Sequence, residues 1–145
     1  MMNLIEVLDG ITKLCSFKTE VLENDSKHIR VQAIVSAANY FKNAVLLQIF
    51  VHDDGATHLL FTFDEIKKDL DTLELINDFN ANNPLFTAYA VERLEGKMFF
   101  ELHTSNICTS ENDVLSYINF ILNGYITNDA VINYLKGLVA LATES

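Results

Sequence analysis

Apolar residues recur at helical spacing over 3–22. Leu4, Leu8, Ile11 and Cys15 make one stripe, with Val7, Leu14 and Val21 beside it. The polar run at 23–27 ends this helix, and the period changes to two. Ile29, Val31, Ala33 and Val35 alternate with Arg30, Gln32, Ile34 and Ser36, which predicts a strand with one side against a core. Two more strands, over 44–52 and 56–63, flank Asp53-Asp54-Gly55. A three-residue loop with glycine in the left-handed position pairs Val51 with Thr57, Ile49 with Leu59 and Leu47 with Phe61. All the strong apolar positions then share one face. A two-residue Asp54-Gly55 turn would mix the faces, so packing selects the longer loop.

Asp64 opens a second predicted helix, with Glu65 in its first turn. Ile66, Leu70, Leu73 and Asn77 form its stripe, Ile76 and Phe79 lie beside it, and Asn82-Asn83-Pro84 ends it. A second hairpin spans 85–93 and 97–104 around Leu94-Glu95-Gly96-Lys97. Tyr89, Val91, Phe100 and Leu102 are assigned to its inner face. Ser110 and Asp113 mark a third helix carrying Val114, Ile118, Ile121 and Tyr125. Gly124 is a stop signal, and Thr127 or Asn128 caps a last segment with Val131, Leu135 and Leu138; the alternative is one kinked helix over 110–142. The order α-β-β-β-α-β-β-α(-α) is α+β, with an antiparallel five-stranded sheet in a single domain over 1–145.

The run Leu73-Glu74-Leu75-Ile76-Asn77-Asp78-Phe79-Asn80, followed by Asn83-Pro84-Leu85-Phe86-Thr87-Ala88-Tyr89, resembles the middle of the YbjN-type bacterial sensory-transduction regulator family. There a helix ends in an N-x-x-N segment and leads directly into a hairpin. The element order is similar to that of class I type III secretion chaperones, which share that fold and are small, acidic, cytoplasmic homodimers. The resemblance implies a secretion-chaperone-like fold and a non-enzymatic binding role, with no catalytic residues to transfer.

Charge narrows the partners. The 145 residues hold 20 Asp and Glu against 10 Lys and Arg, a net charge of −10. Nucleic acid and anionic membrane surfaces both call for a basic footprint, so neither is an expected partner. Glu6, Asp9 and Lys13 interrupt the N-terminal apolar residues, no stretch approaches a membrane span, and Cys15 and Cys108 belong to no metal-spaced cluster. A cytoplasmic protein with reduced thiols is the expectation.

Candidate chemistry is sparse. His52 and His58 fall on the outer face of the first hairpin, with Asp53 and Asp54 at its tip, but a third ligand is missing and no metal or other cofactor is expected. His103 with Cys108 is too unspecific for a thiol nucleophile, and no catalytic motif occurs. Asp69, Asp71, Glu74 and Asp78 read as a solvated helix face, or as a docking surface for a basic partner. Asn77 and Asn80 read as residues that end the helix and satisfy the turn into Pro84.

The second sheet face is more informative. Alternation places Ile34, Leu46, Phe50, Leu60, Phe86, Ala88, Ala90 and Phe99 there, where water would call for polar residues. Either the chain's own helices or a second chain must cover it. The leading expectation is a non-enzymatic protein-binding module, a homodimer, with Ile34, Leu46, Phe50, Leu60, Phe86 and Phe99 at the partner or dimer interface. An acidic immunity or anti-defence inhibitor is one alternative, and a small-ligand or metal-binding enzyme using the His52/His58 edge is another.

Overall fold

Helix α1 spans Leu4–Leu14 and buries Leu4, Val7 and Ile11. These residues stand three and four apart, so they share one face. Asn3 caps the helix by accepting a hydrogen bond from the Glu6 amide. The structure, a computed structural model, describes residues 1–35, 45–67 and 69–125. The expected helix over 3–22 is therefore too long. Its last third is strand β1, Thr19–Asn24, a sixth strand absent from the expected five. The polar run after it is a hairpin turn: the Asp25 carboxylate accepts from the amides of Lys27 (2.8 Å) and His28 (3.0 Å). Val21 happens to sit at helical spacing from Leu14, but β-branched Thr19 and Val21 also alternate along a strand. Once Asp25 closes the turn, pairing with β2 decides between the two readings.

Strands β2 (His28–Val35), β3 (Val45–His52) and β4 (Ala56–Ile66) continue the antiparallel sheet. The first hairpin has the expected register, with Val51 opposite Thr57, Ile49 opposite Leu59 and Leu47 opposite Phe61. Gly55 closes the loop with φ +94°. Strand β4 does not give way to a helix at Asp64. A bulge between Thr62 and Glu65 lets it continue to Ile66, and both Phe63 and Ile66 are buried. Helix α2 is Leu70–Asn82, capped by Asp69, whose carboxylate accepts from the Thr72 amide at 2.8 Å. Leu70 and Leu73, placed in its apolar stripe by sequence, are exposed; the helix packs through Thr72, Ile76 and Phe79.

Strands β5 (Thr87–Leu94) and β6 (Lys97–Ile107) meet at a tight turn where Gly96 has φ +75°. Next to the turn Leu94 faces Lys97. If that register continued, Tyr89 would face Leu102 and Val91 would face Phe100, the inner face expected from sequence. A bulge at Arg93 intervenes. Beyond it Glu92 faces Met98, Ala90 faces Phe100 and Ala88 faces Leu102. A one-residue slip exchanges the two sides of a strand. Tyr89 and Val91 therefore lie on the outer face with Phe99, while Phe86 and Ala88 are buried in the core and Ala90 packs against it. Phe86, proposed for the interface, instead meets the rings of Phe61 and Tyr125.

The sheet order is β1-β2-β3-β4-β6-β5. Helix α3 (Glu111–Asn119) follows β6, runs into a π-helical turn at Phe120–Tyr125, and buries Val114 and Ile118. Ser110 caps it by accepting from the Asp113 amide. The buried residues of α1, α2, α3 and the π turn join one cluster with Val31, Leu47, Ile49, Leu59, Phe100 and their neighbours on the inner face. Each such fully buried large apolar side chain contributes roughly 1.5–3 kcal/mol relative to exposure. The expected last segment with Val131, Leu135 and Leu138 lies outside the described residues. No helix among the described residues is long and apolar enough to cross a membrane.

Candidate functional site

The register sorts the outer face into rows across the strands. Glu23, Arg30, Phe50, His58 and Ser105 form one row. Glu20, Gln32, Gln48, Leu60, His103 and Thr87 form the next, Ile34, Leu46, Thr62, Glu101 and Tyr89 the third, and Glu65, Phe99 and Val91 stand beyond them. The core cluster draws on none of these residues. Ile34 is 65 % exposed, and Leu46, Phe50, Leu60 and Phe99 are half-buried. Five of the six expected interface residues thus share this face, and Phe86 does not.

All four histidines of the chain stand on it as well, one on each of four adjacent strands. His28 is directly opposite His52, with ring centroids 5.9 Å apart. His52 meets His58 edge-on at 6.0 Å. His58 Nδ1 and His103 Nε2 are 3.0 Å apart. Those two rings are tilted by only 20° with centroids 5.3 Å apart. Nitrogens that close cannot belong to rings stacked face over face, so the rings meet edge to edge in one N–H···N hydrogen bond. Burial, and next to it the neighbouring His58, hold His103 below the ordinary imidazole range. At the far end of the row His28 Nε2 lies 2.5 Å from Glu23 Oε2, and its Nδ1 lies 3.4 Å from Asp25 Oδ2.

Sequence reasoning saw His52 and His58 on one face but not the whole row. His28 lies just past a polar run that sequence reads as a helix end, and His103 meets His58 only through the pairing of β4 with β6, strands far apart in the chain. Among the described residues no group of three or more His, Cys, Asp or Glu side chains is placed to hold an ion.

One ion pair organises the opposite end of the face. Glu101 is fully buried, and Arg93 binds it through Nε (2.8 Å) and Nη2 (2.6 Å) while the Thr62 hydroxyl donates at 2.7 Å. A buried carboxylate without such partners would carry a large desolvation cost. The bulge that turns β5 over is thus the residue that neutralises this carboxylate. Tyr89 borders the pair; burial, with Glu101 beside it, raises its phenol above the usual range.

Other candidates separate. Cys108 is buried at the inner side of the sheet and burial raises its thiol, while His103 is on the outer face, so the two do not form a nucleophilic pair. Asn77 is exposed. Asn80 does more than end a helix: its side chain donates to the Ala88 carbonyl (2.8 Å) and accepts from the Ala88 amide (2.6 Å), which fixes α2 to β5. Asp71, Glu74 and Asp78 of α2 are exposed.

No family model matches the chain, and neither a curated protein nor a solved structure does.

Proposed function

We propose that this chain is a cytoplasmic, non-enzymatic protein-binding module that grips its partner with the outer face of the sheet, and that a second copy of the chain is the first occupant of that face. The reading agrees with the homodimeric habit implied by the chaperone and YbjN resemblance. One observation carries it: Ile34, Leu46, Phe50, Leu60 and Phe99 stand together on a face from which the core cluster takes no residue. Contiguous apolar patches of this kind mark interaction surfaces.

Charge and size favour a second copy. The molecule carries −10, yet along the rows Arg30, glutamines and histidines surround the apolar residues. Glu101 is neutralised by Arg93, Glu20 and Glu23 lie at the β1 margin with Glu23 beside Arg30, and Glu65 lies at the corner opposite Phe99. Two copies can therefore approach on this side without bringing many acids together. Six strands about 4.8 Å apart, with eight residues rising about 3.3 Å each, give a face of about 25 by 25 Å. That is comparable to the roughly 800 Å² one partner supplies to a standard interface.

Light scattering coupled to size exclusion at pH 8 tests the reading. A dimer mass at micromolar concentration is expected for the unaltered chain, and a monomer mass for Leu60→Asp or Phe50→Asp with unchanged circular dichroism. A monomer at every concentration up to about 1 mM would overturn it.

A further inference from the structure

We propose that the histidine row is a proton-operated release for this face: two copies hold together while the imidazoles are neutral and separate when the His58–His103 pair and its neighbours take up protons. The inference rests on the self-association reading above and adds its regulation.

The argument begins with the shared hydrogen bond. His58 Nδ1 and His103 Nε2 face each other at 3.0 Å, so only one of these two nitrogens can carry a hydrogen. With both rings neutral, one donates and the other accepts. One added proton on the donor ring's remote nitrogen leaves the bond in place. A second forces N–H against N–H, and the pair must part. Interacting sites of this kind take up protons in two coupled steps that belong to the pair. His58 also faces Phe50 across the ladder and His103 faces Leu60, two central residues of the proposed contact. A charge placed there must be desolvated when the face closes, and a rearranged pair disturbs its packing.

The groups around the row do not cancel that charge at its centre. At the margin, Asp25 of the first turn faces His28, Glu23 of β1 faces both His28 and Arg30, and Glu20 of β1 faces Gln32. From β2, Arg30 lies over the Phe50 ring at 5.8 Å, with its guanidinium 3.6 Å from the Glu23 carboxylate. From β6, Glu101 is already bound to Arg93 of β5. Tyr89 of β5 is neutral in the imidazole range, and from β4 His58 faces the uncharged Ser105. Asp53 and Asp54 sit in the loop beyond His52. Protonation therefore builds positive charge at the middle of the face, while the carboxylates of Glu20, Glu23 and Asp25 stand at the β1 margin and that of Glu65 stands opposite Phe99, four residues along β6 from His103.

A competing effect has the opposite sign. Added protons also reduce the net charge of −10, which eases repulsion between whole molecules. That repulsion acts over distances comparable to the Debye length, about 8 Å at 0.15 M salt, and is largely screened. Charges trapped inside a contact are screened much less. The local effect therefore decides the sign, and added salt should leave the pH dependence in place.

Sedimentation equilibrium of the full chain at pH 8.0 and pH 5.5, each at 0.15 M and 0.5 M salt, tests the proposal. The dimer Kd is expected to rise at least tenfold from pH 8.0 to pH 5.5 at both salt concentrations. In the His58→Gln/His103→Gln double variant the ratio of the two Kd values should fall to about twofold or less, whatever its absolute affinity. Imidazole shifts followed by nuclear magnetic resonance should show the two rings titrating together. A dimer at pH 8.0 with equal or tighter association at pH 5.5, or a double variant with the full ratio, overturns the release and leaves the binding role standing. A monomer at pH 8.0 overturns both.

Discussion

The β3–β4 and β5–β6 hairpins use the same device and differ in one residue. Each closes on a glycine of positive φ, Gly55 in the first and Gly96 in the second. In the first, the register set at the loop runs unbroken from Val51–Thr57 to Leu46–Thr62, so the apolar pattern maps directly onto one face. In the second, the bulge at Arg93 interrupts the ladder directly after the turn and exchanges the sides of β5. Apolar alternation fixes which residues of a strand go together. It fixes which side they take only when nothing is inserted between the turn and the core. The inserted residue is held by the buried carboxylate of Glu101, on the neighbouring strand and eight residues away.

Deleting Arg93 breaks that comparison most severely. It removes the extra residue, so the ladder becomes continuous with Glu92 still opposite Met98 and Ala88 still opposite Leu102, but it leaves the buried Glu101 carboxylate without its cation. Removing one partner of a buried ion pair costs about 3–5 kcal/mol. An early thermal transition, with the dispersion of an amide correlation spectrum retained below it, is the expected readout. Gly55→Ala comes next. Its methyl would lie 1.9 Å from the Cys108 carbonyl oxygen, in addition to the strained φ. A loss of about 3 kcal/mol in urea unfolding is expected from strain and enforced backbone movement. Arg93→Met keeps the bulge residue but strips Glu101 of its cation; about 2 kcal/mol should be lost, moderated by the retained Thr62 bond and the half-exposed guanidinium. Gly96→Ala meets nothing within 4 Å and should cost only the left-handed conformation, about 1 kcal/mol. If the two glycine variants proved equal, the close approach of the first loop to Cys108 would not be the difference between the turns.

The smallest effect follows pH. His103 is held below its ordinary value of 6.5 by burial and then by His58. The unfolded chain therefore binds the proton more readily than the folded one. This contribution to stability is present above about pH 6.5 and is lost as pH falls through 6.5 toward the lower folded value. Melting midpoints between pH 7.5 and 5.5 should decline slightly, and less so in His103→Gln.

Local chemistry was legible in the sequence wherever it was short in range. The Asp53-Asp54-Gly55 loop, the stop at Asn82-Asn83-Pro84 and the cap at Ser110 are each set by residues within a few positions of one another. The α+β class and the antiparallel sheet follow from those signals. The missed features depend on distant partners. Strand β1 is selected by pairing with β2, the late start of α2 by the bulge that keeps Phe63 and Ile66 on β4, and the side of β5 by Glu101. The candidate face was legible in outline because Leu46, Phe50 and Leu60 belong to strands whose register was right. Phe86 was misplaced by the bulge, and the histidine row was missed because it runs across four strands.

The bond between Asn80 and Ala88 has a further consequence. Among the described residues strand β5 is an edge of the sheet, and an edge displays backbone donors and acceptors that can template another chain. The Asn80 carboxamide occupies both groups of Ala88, in the place where a seventh strand would lie. It ends the ladder from outside, as a stopper ends a polymer. The sheet is thereby directional: lateral growth is interrupted at β5 and left to β1, whose short ladder is kinked at Leu22. Asn80→Leu would remove the stopper without emptying the core, and the cost would appear as seeded fibre formation on prolonged agitation, in a protein whose melting temperature had hardly changed.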